Sequence, residues 1–99
     1  MKRKLIILAS AQADLQSIWG YGVREHSSDA ANAYIWRLDQ SMQMALQYPG
    51  VGTEYDDIRA GYRKLASGEH LIFYIPHEGG IDVIRVLHGR LDVRTHLGE

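Results

Sequence analysis

The sequence predicts an α+β domain of order β-α-α-β-β-β, with an N-terminal strand and a helical hairpin packed on a small antiparallel sheet. Three observations carry that reading. Between Ala31 and Leu46 apolar residues recur every three or four positions, the period of a helix with one buried stripe. From Gly61 onward the period becomes two. Two dense apolar runs, 70–75 and 81–87, are joined by Glu78-Gly79-Gly80, which reads as a tight hairpin turn.

Lys2 to Ala9 is a basic opening followed by Leu5-Ile6-Ile7-Leu8, and reads as a first strand near a sheet edge. Ser10 is a suitable N-cap, since its hydroxyl can accept from a free backbone N–H of the next turn, and Asp14 lies close enough to the start to favour the helix dipole. The first helix spans about Ala11 to His26, with Leu15, Ile18, Trp19 and Gly22 on one face, and Trp19 reads as core or boundary packing. Ser28 is the expected cap of the second helix, which runs from about Asp29 to Tyr48 and ends at Pro49-Gly50. The short link makes the two helices a hairpin.

Val51 to Ala60, with the acidic residues Glu54, Asp56 and Asp57, reads as a solvated loop longer than most connections. Tyr62 to Ala66, His70 to Ile75 (interrupted by Pro76) and Ile81 to Leu87 form a meander, with the last two strands central and the helices covering one face. The other face is expected to be a shallow groove. Val93 to Leu97 reads as a final helical turn. Gly89 is expected to allow a sharp backbone change that aims Arg90 away from the sheet.

Ninety-nine residues correspond to one domain, 1–99. There is no cysteine, so neither disulfides nor thiolate metal sites support the fold, and a reducing compartment is compatible. The apolar run after Met1-Lys2-Arg3-Lys4 is shorter than a secretory signal needs, and no run approaches a membrane span. A soluble cytoplasmic protein is therefore expected. A net charge of −1 argues against a constitutive nucleic-acid binder. Charge is unevenly placed, however: Arg85, Arg90, Arg94, His88 and His96 gather in 85–96 against the single acid Asp92.

The phosphate-loop, HExxH, CxxC and GxSxG patterns are absent, and the five histidines lack metal-ligand spacing. No cofactor or metal is expected. The candidate working residues are the basic set Arg59, Arg63, Lys64, Arg85, Arg90 and Arg94, with His88, His96 and Asp92. Such a group can hold phosphates, stabilise charge in RNA cleavage, or meet an acidic partner protein.

Three strings in this order, Gly61-Tyr62-Arg63-Lys64-Leu65, Gly68-Glu69-His70-Leu71-Ile72-Phe73-Tyr74 and Ile84-Arg85-Val86-Leu87-His88-Gly89-Arg90-Leu91-Asp92, resemble the ParE toxins of the RelE/ParE superfamily. The Asp14-to-Trp19 run and the Pro49-Gly50 helix end agree in layout. The resemblance implies the toxin of a type II toxin–antitoxin pair, a non-enzymatic inhibitor of DNA gyrase that blocks replication. It also implies a hetero-oligomer with a ParD-like antitoxin, whose disordered segment wraps the toxin and folds on binding. No membrane contact and no sequence-specific DNA binding by this chain alone are expected. On this reading Arg59, Arg63, Arg85, His88, Arg90, Asp92 and Arg94 face the target or the antitoxin. The rival is the RelE branch, which cuts mRNA in the ribosome; there Arg63, Lys64, Arg85 and Arg90 would form the basic set and His96 would stand for the acid. His70-Leu71 falls where that branch commonly has an arginine, which weakens the rival.

Overall fold

A computed structural model describes residues 2–57, 59–91 and Leu97. Strand β1 (Lys4–Ile7) leads into helix α1 (Ala9–Glu25) and helix α2 (Ser28–Gln47). A 3-10 turn at Pro49–Val51 precedes β2 (Thr53–Glu54), β3 (Arg63–Ser67), β4 (His70–His77) and β5 (Gly80–His88). The sheet order is β1-β5-β4-β3-β2. β1 runs parallel to β5 and every other pair is antiparallel. The expected architecture and the central position of β4 and β5 hold.

Several local expectations do not. Helix α1 starts at Ala9, so Ser10 lies inside the first turn and Leu8 is the N-cap residue, without a side-chain cap. Gln12 Nε2 instead donates to Ile7 O at 2.8 Å. Helix α2 is capped by Ser27, not Ser28: the Ser27 hydroxyl accepts from Ala30 N at 3.0 Å. The supposed acidic loop contains β2, which pairs with β3 through Thr53↔Lys64 and Glu54↔Arg63. Two polar residues are too few to show a period, so this edge strand leaves no signal in the sequence. Pro76 does not interrupt β4; it pairs with Ile81. β3 reaches only as far as Tyr74, so at Pro76 the strand has a neighbour on one side only. That is the edge situation in which a strand tolerates a missing N–H.

The main core lies between sheet and hairpin. Ala11, Leu38, Met42 and Ala45 pack against Ile72, Tyr74, Ile81, Val83 and Val86. Trp19 sits at the boundary, with its Nε1 donating to Asn32 Oδ1 at 2.8 Å and tying α1 to α2. The other face is covered, not an open groove: Tyr62, Phe73, Leu87 and Leu97 form a second cluster with Tyr55, Leu71, Ile75 and Ile84. The final helical turn expected at 93–97 lies outside the described residues except for Leu97.

Two details fix the sheet. Tyr74↔Val83 is followed by Phe73↔Arg85, which leaves Ile84 unopposed as a bulge. The bulge resets the alternation, so Val83 and Val86 both face the helices although they are three apart. Gly80, at φ +144°, admits β1: a Cβ there would stand 1.9 Å from Lys4 O.

Candidate functional site

Strand β5 is longer than its parallel partner. β1 ends opposite Val83, and beyond that point the N-terminal turns of α1 take over the free edge. Leu8 N donates to Val83 O at 3.0 Å. Ser10 Oγ donates to Ile84 O at 2.9 Å, and Val86 N donates to Asp14 Oδ2 at 2.9 Å. Ser10 and Asp14, one turn apart on α1, thus satisfy β5 as a further strand would. Asp14 also takes Arg85 in a two-pronged pair, Nε to Oδ2 at 2.7 Å and Nη2 to Oδ1 at 2.8 Å. This charge-assisted geometry raises the Arg85 pKa, chiefly through the hydrogen bond to Asp14. Asp14 is therefore a tether rather than a dipole residue.

Past Arg85, β5 ends beside the β3–β4 turn. His70 and His88 are register partners with their rings edge to face, centroids 5.4 Å apart. Tyr34 on α2 reaches the same point: its hydroxyl accepts from Glu69 N at 2.9 Å and lies 2.5 Å from His70 Nδ1. Which of the Tyr34 hydroxyl and His70 Nδ1 donates follows from the His70 tautomer. Arg90 N donates to His88 Nδ1 at 3.1 Å, so the neutral His88 ring carries its proton on Nε2, 3.4 Å from Glu69 Oε1. Burial, reinforced by the charge of His88, pushes the His70 pKa down, against the opposing pull of Glu69 and Asp14.

The histidine pair closes one end of a 610 Å3 cleft between the helical hairpin and the sheet. Ile18, Gly22, Ala30 and Ala31 give it an apolar wall, and Tyr21 and Tyr34 line it as well. Among the described residues no group of three His, Cys, Asp or Glu side chains is placed to hold a metal ion.

The structure distributes the basic residues singled out in the sequence. Arg63 Nη1 donates to Gly52 O at 2.6 Å and its Nη2 lies 3.5 Å from Glu54. Lys64, next along β3, lies over the Tyr55 ring, 4.7 Å from its centroid. Arg85 is held by Asp14 on the far side of β4. Arg59 is exposed in the β2–β3 connection, and Arg90 is exposed just after β5. Of the described members, His88 and Arg90 stand together at the end of β5. Asp92, Arg94 and His96 lie outside the described residues. The chain does turn at Gly89, without a positive φ there: its N donates to Glu69 O at 2.9 Å, Leu91 N closes the turn onto His88 O at 3.0 Å, and Arg90 is exposed. Sequence reasoning missed the tethering role of Asp14 and the grouping of Tyr34, Glu69 and His70 with His88. The Ser10/Asp14 spacing beside buried Ala11 was a usable signal; the histidine pairing was not, because it depends on the bulge.

Comparison with known proteins gives a consistent result. The family model for the ParE toxin of the type II toxin-antitoxin system, parDE, matches residues 5–93. Over 98 residues the chain is 40% identical to Toxin ParE1 of Mycobacterium tuberculosis (strain ATCC 25618 / H37Rv), covering 98% of this chain and 100% of that protein. It is 39% identical over 88 residues to Toxin ParE1 of Caulobacter vibrioides, covering 89% of this chain and 91% of the other. A chain in the solved structure of the chromosomal ParDE TA system from P. aeruginosa superimposes with a TM-score of 0.75 at 17% identity, covering 87% of this chain and 95% of that one, a likeness of fold.

Proposed function

The chain belongs to the ParE toxin family of type II toxin–antitoxin systems, and on that premise we propose that it arrests growth by binding and inhibiting DNA gyrase until a ParD-like antitoxin neutralises it. The observation that carries the reading is the match over residues 5–93 together with toxin relatives aligned over nearly their full length. The site geometry favours a binder over a nuclease. The nuclease alternative would bring Arg63, Lys64, Arg85 and Arg90 to bear on one phosphate. Here Arg63 is engaged with the β2 side of the sheet and Arg85 with α1.

Inhibition by binding requires only that one state of gyrase be held more tightly than the others. The end of β5, with exposed Arg90 beside His88, is the surface we assign to the target or the antitoxin, together with Arg94. We infer a cytoplasmic site of action, where gyrase would be met; no described helix is long and apolar enough to cross a membrane.

The test is to add purified protein to gyrase and relaxed plasmid. Loss of supercoiling or trapped cleaved DNA is the expected result. An unaffected gyrase, with mRNA cut on translating ribosomes and cutting lost in His96→Ala, would overturn the proposal in favour of the RelE-type reaction. The Arg90→Ala/Arg94→Ala double variant is expected to fold and to lose growth arrest; full toxicity in the folded variant would remove the surface assignment.

A further inference from the structure

Helix α2 has two unlike sides. Ala31, Leu38, Met42 and Ala45 are buried beneath it. On the opposite side Ala33, Trp36, Gln40, Gln43, Met44 and Gln47 are exposed. A solvated helix face is ordinarily charged. This one is not: Arg37 and Asp39 are the only charged residues from Ala30 to Tyr48, in a chain that is 23% charged, and Asp39 is half-buried. Aromatic residues and methionine with few charges are the make-up of a protein interface. We propose that this face pairs with the same face of a second copy of the chain, as a two-fold dimer centred on Gln40.

The size of the face fits that role. Trp36 is 65% exposed, Tyr48 60% and Met44 48%. The apolar surface continues onto α1, where Trp19 is 43% exposed and is bonded to Asn32, one turn before Trp36. A shallow depression lined by Leu15, Trp19, Gly20 and Ile35 joins the two helices there. At about 250 Å2 per aromatic side chain, Trp36, Tyr48 and Trp19 alone leave roughly 400 Å2 in water. Scattered apolar residues are ordinary on a surface, whereas a connected patch of this size marks an interaction site. With Met44 and the three glutamines the face approaches the ~800 Å2 that each partner of a standard interface buries.

The pattern along the helix selects a second copy over an unlike partner. Trp36, Gln40, Met44 and Tyr48 stand four apart and form one ridge. In a two-fold contact the residue that meets another is met by it in turn. An antiparallel axis at Gln40 sets Trp36 of each copy on Met44 of the other, a sulfur–aromatic contact. Gln40 meets Gln40, and a primary amide both donates and accepts, so it pairs with itself. Arg37 comes opposite Gln43, whose amide oxygen can accept from it. No like charges face each other across the axis, and a net charge of −1 leaves little long-range repulsion between copies. The face points away from the sheet, so the end of β5 stays free on both copies. The inference stands apart from the gyrase reading, since it concerns the toxin alone.

The experiment is sedimentation velocity of the purified full chain over a concentration series. A monomer–dimer equilibrium with a Kd on the order of 10–100 µM is expected, the scale of an interface near the lower end of the standard size. Trp36→Ala should weaken it at least about tenfold, through loss of a central aromatic anchor. Gln40→Glu and Gln40→Lys each place like charges on the axis and should weaken it by about tenfold, whereas an equimolar mixture of the two should restore a dimer of unlike chains. Both positions are exposed, so circular dichroism should show the fold unchanged in all three variants. A chain that stays monomeric at about tenfold above that Kd range, a dimer indifferent to Gln40→Glu, or a mixture without rescue would overturn the proposal. So would a monomeric toxin whose affinity for a ParD-like antitoxin falls with Trp36→Ala, which would give the face to the antitoxin instead.

Discussion

Replacing Asp14 with alanine tests how the end of β5 is held. The carboxylate accepts three hydrogen bonds, two from Arg85 and one from Val86 N. Asp14 and Arg85 side chains are 14% and 22% exposed, so the pair is mostly but not fully removed from water. Losing the acceptor for Val86 N, in a residue 2% exposed, costs about 1–3 kcal/mol. Loss of the Asp14 charge beside Arg85 adds a further penalty. Breaking a fully buried pair costs about 3–5 kcal/mol, but this guanidinium can turn towards water, and about 1 kcal/mol is the fair share. The total is about 2–4 kcal/mol, which lowers the melting temperature of a domain this size by roughly 10–25 °C. Asp14→Asn keeps an acceptor for Val86 N and should lose only about 1 kcal/mol. Urea unfolding of Asp14→Ala, Arg85→Ala and the double variant gives the coupling energy, expected above about 0.5 kcal/mol. A loss below about 0.5 kcal/mol for Asp14→Ala, or strictly additive single effects, would refute the tether.

Other consequences follow from particular contacts. Tyr74 donates to Pro49 O at 2.8 Å and accepts from Gly52 N at 2.9 Å, so Tyr74→Phe strands two backbone groups and should cost about 1–3 kcal/mol in denaturant unfolding. Ile72 is fully buried at the centre of the sheet, and Ile72→Ala should cost about 2–5 kcal/mol; a loss well under 1 kcal/mol would contradict its central packing. For pH, the folded-state pKa of His70 lies below the unfolded value, so the unfolded chain binds the proton first. Its contribution is complete above about pH 6.5 and is lost as pH falls through the lowered pKa, so stability should decline on acidification. His70→Gln should flatten that decline, and an unchanged slope would show that His70 is not its source.

The helices, the hairpin turn and the two central strands were legible because each rests on local physics: a period of three to four between Ala31 and Leu46, proline and glycine at 49–50 and 79–80, and dense apolar runs at 70–75 and 81–87. Cap positions were off by one or two residues: Ser27 and Ser28 are equally good caps in isolation, and the Ser10 hydroxyl is drawn to Ile84 O by the docking of α1 on β5. β2 was invisible, being two polar residues whose strand geometry comes entirely from pairing with Arg63 and Lys64.

The basic residues show the same division. The sequence places Arg63, Lys64, Arg85, His88 and Arg90 near one another along the chain and says nothing of what each one holds. Tertiary structure ties Arg85 to an aspartate 71 residues away and leaves His88 and Arg90 at the surface. The histidine pairing depends on a single residue. Without the bulge at Ile84 the hairpin register would set His70 opposite Leu87; with it, His70 faces His88. By itself the sequence determined the two helices, the four longer strands, their order and the family likeness, since these follow from local pattern and motif. Which charges are neutralised and which imidazoles meet was decided only by the sheet, because one extra residue in a strand changes every pairing beyond it.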